Sequence, residues 1–167
     1  GFVGKAVFEK FKNFFSVLTY DLNSKICNSN IDEIKNKCGV VFVCVPTPMN
    51  SDGSQNKSFI IDVFKKAKKG PIYIIKSTVL PGTTDELQAE FGDLDIIFSP
   101  EFLTERNSKL DMVTQSRIIF GGKKSLTQKV ENLFKIRFKN RHFIHTDSKT
   151  AEFIKYMNNT FFASKVS

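Results

Sequence analysis

Two spacings of apolar residues alternate along the chain, and each predicts its own kind of element. Gly4 to Asn13 places Val7, Phe8 and Phe11 at helical spacing and predicts an amphipathic helix. Phe15 to Tyr20 is a short apolar run that predicts a strand. Ile31 to Lys37 predicts a short helix with Asn30 as its N-cap. Val40 to Val45 reads VVFVCV, apolar throughout, as expected of a central parallel strand covered on both faces. Ser58 to Lys69 predicts a helix that Gly70-Pro71 stops. A strand over Ile72 to Lys76, a helix over Thr83 to Phe91 and a strand over Ile96 to Ser99 follow. Arg117 to Phe120 predicts a strand ended by Gly121-Gly122, then come a helix over Ser125 to Phe138 and a strand over Phe143 to His145. Ser148 to Ser167 predicts a final helix.

Strands separated by helical segments imply βαβ units, so the expected class is α/β with a doubly wound, mostly parallel sheet. The chain shows no internal repeat and no low-complexity tract. Its linker-like stretch is Pro46 to Lys57, rich in Pro, Asn, Ser and Gly, and it follows the most apolar strand directly. Ligands of open α/β sheets bind beyond the carboxyl ends of the strands, so this loop reads as part of a site and not as a domain boundary.

Composition narrows the function classes. A chain of 167 residues with 41% hydrophobic and 25% charged residues can bury one sizeable core. The net charge of +8 is compatible with anionic partners, but the lysines are spread along the chain. The densest run, Lys65 to Lys69, falls at a predicted helix end, where it suits the helix dipole. No stripe of basic and aromatic residues supports a nucleic-acid surface, and no nucleic-acid partner is expected. No apolar run reaches the length of a membrane span, so no membrane partner is expected either. The three cysteines, Cys27, Cys38 and Cys44, form no CxxC pair, which argues against a disulfide or zinc framework and for a reducing, cytoplasmic setting. His142 and His145 bring no ligand cluster with them, and no metal is expected.

The chemistry-bearing residues begin at the first position. Gly1-Phe2-Val3-Gly4 opens a helix, and Asp21 lies 17 positions after Gly4, beyond the next predicted strand. A glycine turn lets a backbone approach a pyrophosphate at a helix N-terminus, and an acidic residue after the following strand can hold ribose hydroxyls. The bland alternative is a tight turn and a loop aspartate. Lys155 and Asn159 are four apart and share one helix face, where an ammonium and an amide can make an oxyanion site. They also fit an exposed polar face, with Glu152 and Lys155 as a weak surface pair. Thr78 precedes Pro81-Gly82 and fits turn chemistry as well as a site. Glu101 and Glu105 bracket Phe102-Leu103, and neighbouring carboxylates can take different roles. Cys44, inside the most apolar run, reads as packing.

Five segments in order carry a resemblance. They are GFVG at the start, VFVCVPTP (Val41 to Pro48), IKSTVLPGTT (Ile75 to Thr84), SPEFLTERN (Ser99 to Asn107) and AEFIKYMNNTFFASK (Ala151 to Lys165). Together they resemble the UDP-glucose and GDP-mannose dehydrogenase family. The resemblance implies a Rossmann-like NAD-binding domain over residues 1–147, with its first strand missing ahead of Gly1. It implies that residues 148–167 begin a long central helix that builds a homodimer. It implies oxidation of C6 of a UDP- or GDP-sugar to the uronic acid with two NAD. Gly1, Val3, Gly4, Asp21, Thr47, Thr78 and Glu101 would contact the cofactor. Thr78 and Glu105 would hold and work with the catalytic water, and Lys155 with Asn159 would stabilise the oxyanion.

The chain departs from the family in three places. The first motif glycine is absent. Only 18 residues separate Asp21 from Val40, a compact form of a region that is longer in many members. The family's cysteine nucleophile has no counterpart, since every cysteine lies before residue 45. This chain alone is therefore expected to make no acid product, and a non-catalytic nucleotide-binding or scaffold domain is the rival reading. The apolar positions Ile154, Phe161 and Phe162 are expected to be partly exposed.

Overall fold

The structure, a computed structural model, describes residues 1–102 and 117–166, and at 162, 163, 165 and 166 the backbone alone. The chain runs through α1 (Phe2–Phe11), a 3-10 turn (Ser24–Ile26), α2 (Ile31–Lys37), β1 (Val40–Val43), α3 (Ser58–Lys65) and β2 (Ile72–Ile75). It continues through α4 (Thr83–Glu90), β3 (Asp95–Phe98), β4 (Arg117–Gly121), α5 (Lys124–Arg137), β5 (His142–Thr146) and α6 (Ser148–Val166). The sheet order is β1-β2-β3-β4-β5. Neighbours are parallel except β3 and β4, which run antiparallel through the single pair Phe98 and Gly121. This is the doubly wound, mostly parallel α/β sheet that the alternation of elements predicts.

Strand residues alternate between two cores, as a period of two requires. On one face Val7 and Phe11 of α1 and Leu126, Val130 and Phe134 of α5 cover Ile72, Ile74, Ile97 and Phe120. On the other, Ile60 and Phe64 of α3, Leu87 of α4 and Ala151 of α6 cover Val43, Tyr73, Ile75, Ile96, Phe98 and Ile119. The many phenylalanines have a packing role: Phe11, Phe42, Phe120, Phe134 and Phe138 form a ring network with centroids 5.1–6.0 Å apart.

Three elements differ from expectation. Phe15 to Tyr20 forms no strand. No described strand lies beside it, and Asn28 occupies its hydrogen-bonding groups instead. The Asn28 amide side chain accepts from Thr19 N at 2.7 Å and donates to Val17 O at 3.2 Å. Second, the VVFVCV run is covered on both faces, but among the described strands it has β2 as its one neighbour, with Val40 to Phe42 half-buried. Third, α3 ends at Lys65, four residues early. The buried Tyr73 explains this: its hydroxyl accepts from Lys68 N and donates to Lys68 O, both at 2.9 Å, and so draws the backbone out of the helix.

Gly121 marks the closest approach between layers. A Cβ there would lie 2.5 Å from Ala151 Cβ and 2.9 Å from Asp147 O. Only glycine lets the start of α6 lie directly on β4.

Candidate functional site

The site gathers at the carboxyl ends of β1, β2 and β3, beside the start of α1. The N-cap of α1 is Gly1, with no side-chain cap and no acidic residue in the first turn. The first-turn amides are thus left for another acceptor. A Cβ on Gly1 would meet nothing within 4 Å, and one on Gly4 would meet Cys44 Cβ at 3.6 Å. Val3 is half-buried against the α1/α5 core. The Gly1 ammonium stands 3.5 Å from Asp21 Oδ2. Asp21 keeps its charge readily: the Asn23 backbone N–H, 2.9 Å from Oδ1, holds its carboxyl below the ordinary range. An uncapped helix start with a carboxylate at its side suits a phosphate on the amides and hydroxyls on the acid.

The loops after β1 and β2 are tied to each other. Thr47 Oγ1 donates to Thr78 O at 2.6 Å, and Ser77 Oγ donates to Val45 O at 2.6 Å. Gln55 brings back the far end of the Pro46 to Lys57 loop. Its Nε2 donates to Thr78 O at 3.0 Å, and its Oε1 accepts from Leu80 N at 3.1 Å. Thr78 is half-buried, and its hydroxyl makes no hydrogen bond among the described residues.

A buried ionic cluster follows β3. Glu101 is 3% exposed, and two lysines hold its carboxylate. Lys10 Nζ lies 3.4 Å from Oε1 and 3.3 Å from Oε2, and Lys76 Nζ lies 3.4 Å from Oε2. Lys76, 6% exposed, also donates to Ser99 Oγ at 3.1 Å. Burial by itself raises the Glu101 carboxyl. The charges of Lys76 and Lys10 and their hydrogen bonds outweigh that and keep it below the ordinary range. Burial pulls the Lys10 ammonium down to about 8 against the attraction of Glu101. Lys155 reaches the same residue from α6: its Nζ donates to the Glu101 main-chain carbonyl and lies 5.5 Å from the centroid of the Phe102 ring. Burial lowers Lys155 too, Glu101 opposes this, and Lys76 reinforces it.

Lys155 reaches Glu101 because Glu152, one turn earlier, is locked. Glu152 is fully buried and accepts from Gly82 N at 2.6 Å, Thr84 N at 2.8 Å and Thr84 Oγ1 at 2.5 Å. It caps the start of α4, whose own N-cap is Gly82 at φ +99 with no capping side chain. The alternative reading of Glu152 and Lys155 as a surface pair therefore does not hold. The two side chains serve different partners, because α6 lies on β4 and α4 with that face inward. Burial raises the Glu152 carboxyl, against the lowering effect of its hydrogen bonds.

Of the residues picked from sequence, Gly1 meets Asp21, Thr47 meets Thr78, and Lys155 meets Glu101. Asn159 is exposed on α6 and is not brought to that cluster. Glu105 lies outside the described residues. Sequence reasoning missed Lys10, Lys76, Ser99 and Glu152. Lys76 had a readable signal: a lysine ending the all-apolar strand IYII, where a lone charge needs a partner. Lys10 and Glu152 had none, because their partners are 91 and about 70 positions away. Burial pushes the Cys44 thiol up to about 12, consistent with a packing role. His145 contacts Thr127 Oγ1 at 2.8 Å and Glu131 Oε2 at 2.5 Å, which ties β5 to α5. No three His, Cys, Asp or Glu residues among those described could hold a metal ion, and no described helix is long and apolar enough to cross a membrane.

A mostly parallel, doubly wound sheet with an uncapped glycine helix start and a carboxylate beside it defines a dinucleotide-binding domain. Residues 16–137 match the UDP-glucose/GDP-mannose dehydrogenase family, NAD binding domain, and the chain belongs to that family. It is 33% identical over 144 residues to a UDP-glucose 6-dehydrogenase of Campylobacter jejuni, a match that covers 83% of this chain and 37% of that protein. It is 30% identical over 134 residues to a UDP-N-acetyl-D-mannosamine dehydrogenase of Methanococcus aeolicus, covering 73% of this chain and 30% of the relative. The fold matches a UDP-N-acetyl-mannosamine dehydrogenase structure from Staphylococcus aureus with a TM-score of 0.78 and 22% identity, over 96% of this chain and 49% of the other. The chain thus spans about a third of the length of these curated relatives.

Proposed function

We propose that this chain is the NAD-binding part of an enzyme that oxidises C6 of a UDP- or GDP-sugar to the uronic acid. The observation that carries the reading is the convergence at the carboxyl ends of β1–β3 of the α1 start with Asp21, the Thr47 and Thr78 loops, and Lys155 on Glu101. NAD bound there would accept the hydride. The first-turn amides of α1 would take its pyrophosphate, and Asp21 would accept from ribose hydroxyls. The Thr78 hydroxyl would orient a water, with Glu105 as the acid or base that works with it. The Lys155 ammonium would face the oxygen that carries negative charge once the C6 hydroxyl gives up its proton and before the hydride leaves, whereas Asn159, one turn on, lies exposed outside the cluster.

Dimerisation fits the outward face of α6, where Phe153, Tyr156 and Met157 are about half exposed. Ile154 is half-buried, in line with the partial exposure expected of it, and packs against the core that contains Ala151. The second oxidation needs a thiol to form a thioester. Cys44, held protonated by burial, does not supply one, so the chain by itself is assigned binding without acid formation.

The test is calorimetric titration of the chain with NAD, beside Asp21→Ala. Loss of charge-assisted hydrogen bonds to the ribose is expected to weaken binding by about 10- to 100-fold. Absence of NAD binding by the unaltered chain, or equal binding by the variant, would refute the cofactor assignment. Steady uronic acid production by the chain alone would refute the division of labour.

A further inference from the structure

Lys155 is held by a main-chain atom, and that atom is held in turn. The Glu101 carbonyl receives the Lys155 ammonium, while the Glu101 carboxylate lies between Lys10 from α1 and Lys76 from the end of β2. Ser99 supports Lys76 from the same loop at 3.1 Å. A carboxylate this buried is stable only while paired, so the two lysines decide where residue 101 sits. Its place in turn decides where Lys155 points. We propose that Lys10 and Lys76 are positioning residues, which clamp the Glu101 side chain from two elements so that its carbonyl seats Lys155 at the carboxyl ends of β1–β3. The role rests on the reading of Lys155 as the group that faces the reacting oxygen. It also gives α1 a second task. The helix that opens the dinucleotide site at its first turn holds, in its last, the residue that seats Lys155.

The Phe102 ring supplies the readout, because it lies beneath the seated ammonium. In the 167-residue chain labelled with carbon-13 lysine, the Lys155 ε-methylene signal, assigned with Lys155→Arg, should be shifted upfield by the ring at pH 7. Phe102→Leu should abolish that shift. Lys10→Met and Lys76→Met should each return the signal to the position of an exposed lysine, although Lys10 contacts Glu101 and not Lys155. Lys10→Arg, which keeps the charge, should preserve the shift. Retention of the shifted signal in folded Lys10→Met would overturn the proposal, as would absence of the shift from the unaltered chain. Should Lys76→Met not fold, the Lys10 pair decides the matter by itself. The measurement needs no NAD. Failure of the clamp with intact NAD binding sinks this inference alone, and lost NAD binding with an intact clamp sinks the cofactor reading alone.

Discussion

Glu152 is the residue whose loss should be felt most widely. It is fully buried on α6 and takes three donors from the start of α4: Gly82 N, Thr84 N and Thr84 Oγ1. Glu152→Ala leaves two backbone amides and a hydroxyl without an acceptor in a dry place. A buried donor left without its acceptor costs about 1–3 kcal/mol, so three of them, with partial relaxation, cost about 4 kcal/mol in all. With a urea m-value of about 2 kcal/mol/M, a loss of about 4 kcal/mol moves the unfolding midpoint down by about 2 M. Glu152→Gln keeps the shape but turns an NH2 toward an N–H donor, so about 2 kcal/mol is expected. The pH dependence has an unusual sign. The carboxyl is raised in the folded chain, so the unfolded chain releases this proton first. The Glu152 contribution therefore falls as pH rises from the ordinary carboxylate range through its own raised value, the reverse of common acid denaturation. The assay is urea unfolding followed by circular dichroism from pH 4 upward. A midpoint shift below about 0.3 M for Glu152→Ala, at unchanged m-value, would refute the trans cap.

Three further outcomes follow from other parts of the fold. Lys10 titrates near 8 when folded against 10.5 when free, so the unfolded chain binds more protons between those values and stability should rise with pH across that window by up to about 3 kcal/mol. Lys10→Met should remove this rise in unfolding curves taken at pH 7.5 and 10.5, and an identical rise in the variant would refute the assignment. Gly121→Ala would place a Cβ against Ala151, Asp147 O and Ser148 Cα, and should cost about 1–3 kcal/mol by overpacking, checked as a lowered melting temperature. Cys44, half-buried and with its thiol pushed up to about 12, should react with a thiol reagent at neutral pH more slowly in the folded chain than after unfolding, and equally fast labelling of the two would contradict its packing role.

Element type was largely legible along the chain because periodicity is a local signal. Ile31 to Lys37 is the predicted helix, and Asn30 caps it by accepting from Glu33 N at 2.9 Å. The apolar runs at Ile72 and Ile96 are buried strands because both of their faces meet helices. The glycine helix start, Asp21, Thr47, Thr78 and Lys155 were readable as candidates because each occupies a position that its motif defines.

Pairing was not legible. Phe15 to Tyr20 has the composition of a strand, yet a strand exists only when a neighbour supplies its hydrogen bonds, and Asn28 supplies them instead. The apolar run at Val40 carried no mark of pairing with β2 alone among the described strands. The ionic interior was equally hidden. Glu101 and Lys155 were visible as candidates and Lys76 as a charge ending an apolar strand, but nothing along the chain said that they and Lys10 would be buried in one place and forced to pair. Glu152 looks like half of a surface ion pair until α6 is laid against α4. The succession of helices and strands and the motif residues depend on near neighbours, and so can be read along the chain. Which charges lose their water is settled by packing between distant elements, and a charge without water takes whatever partner the fold brings within reach.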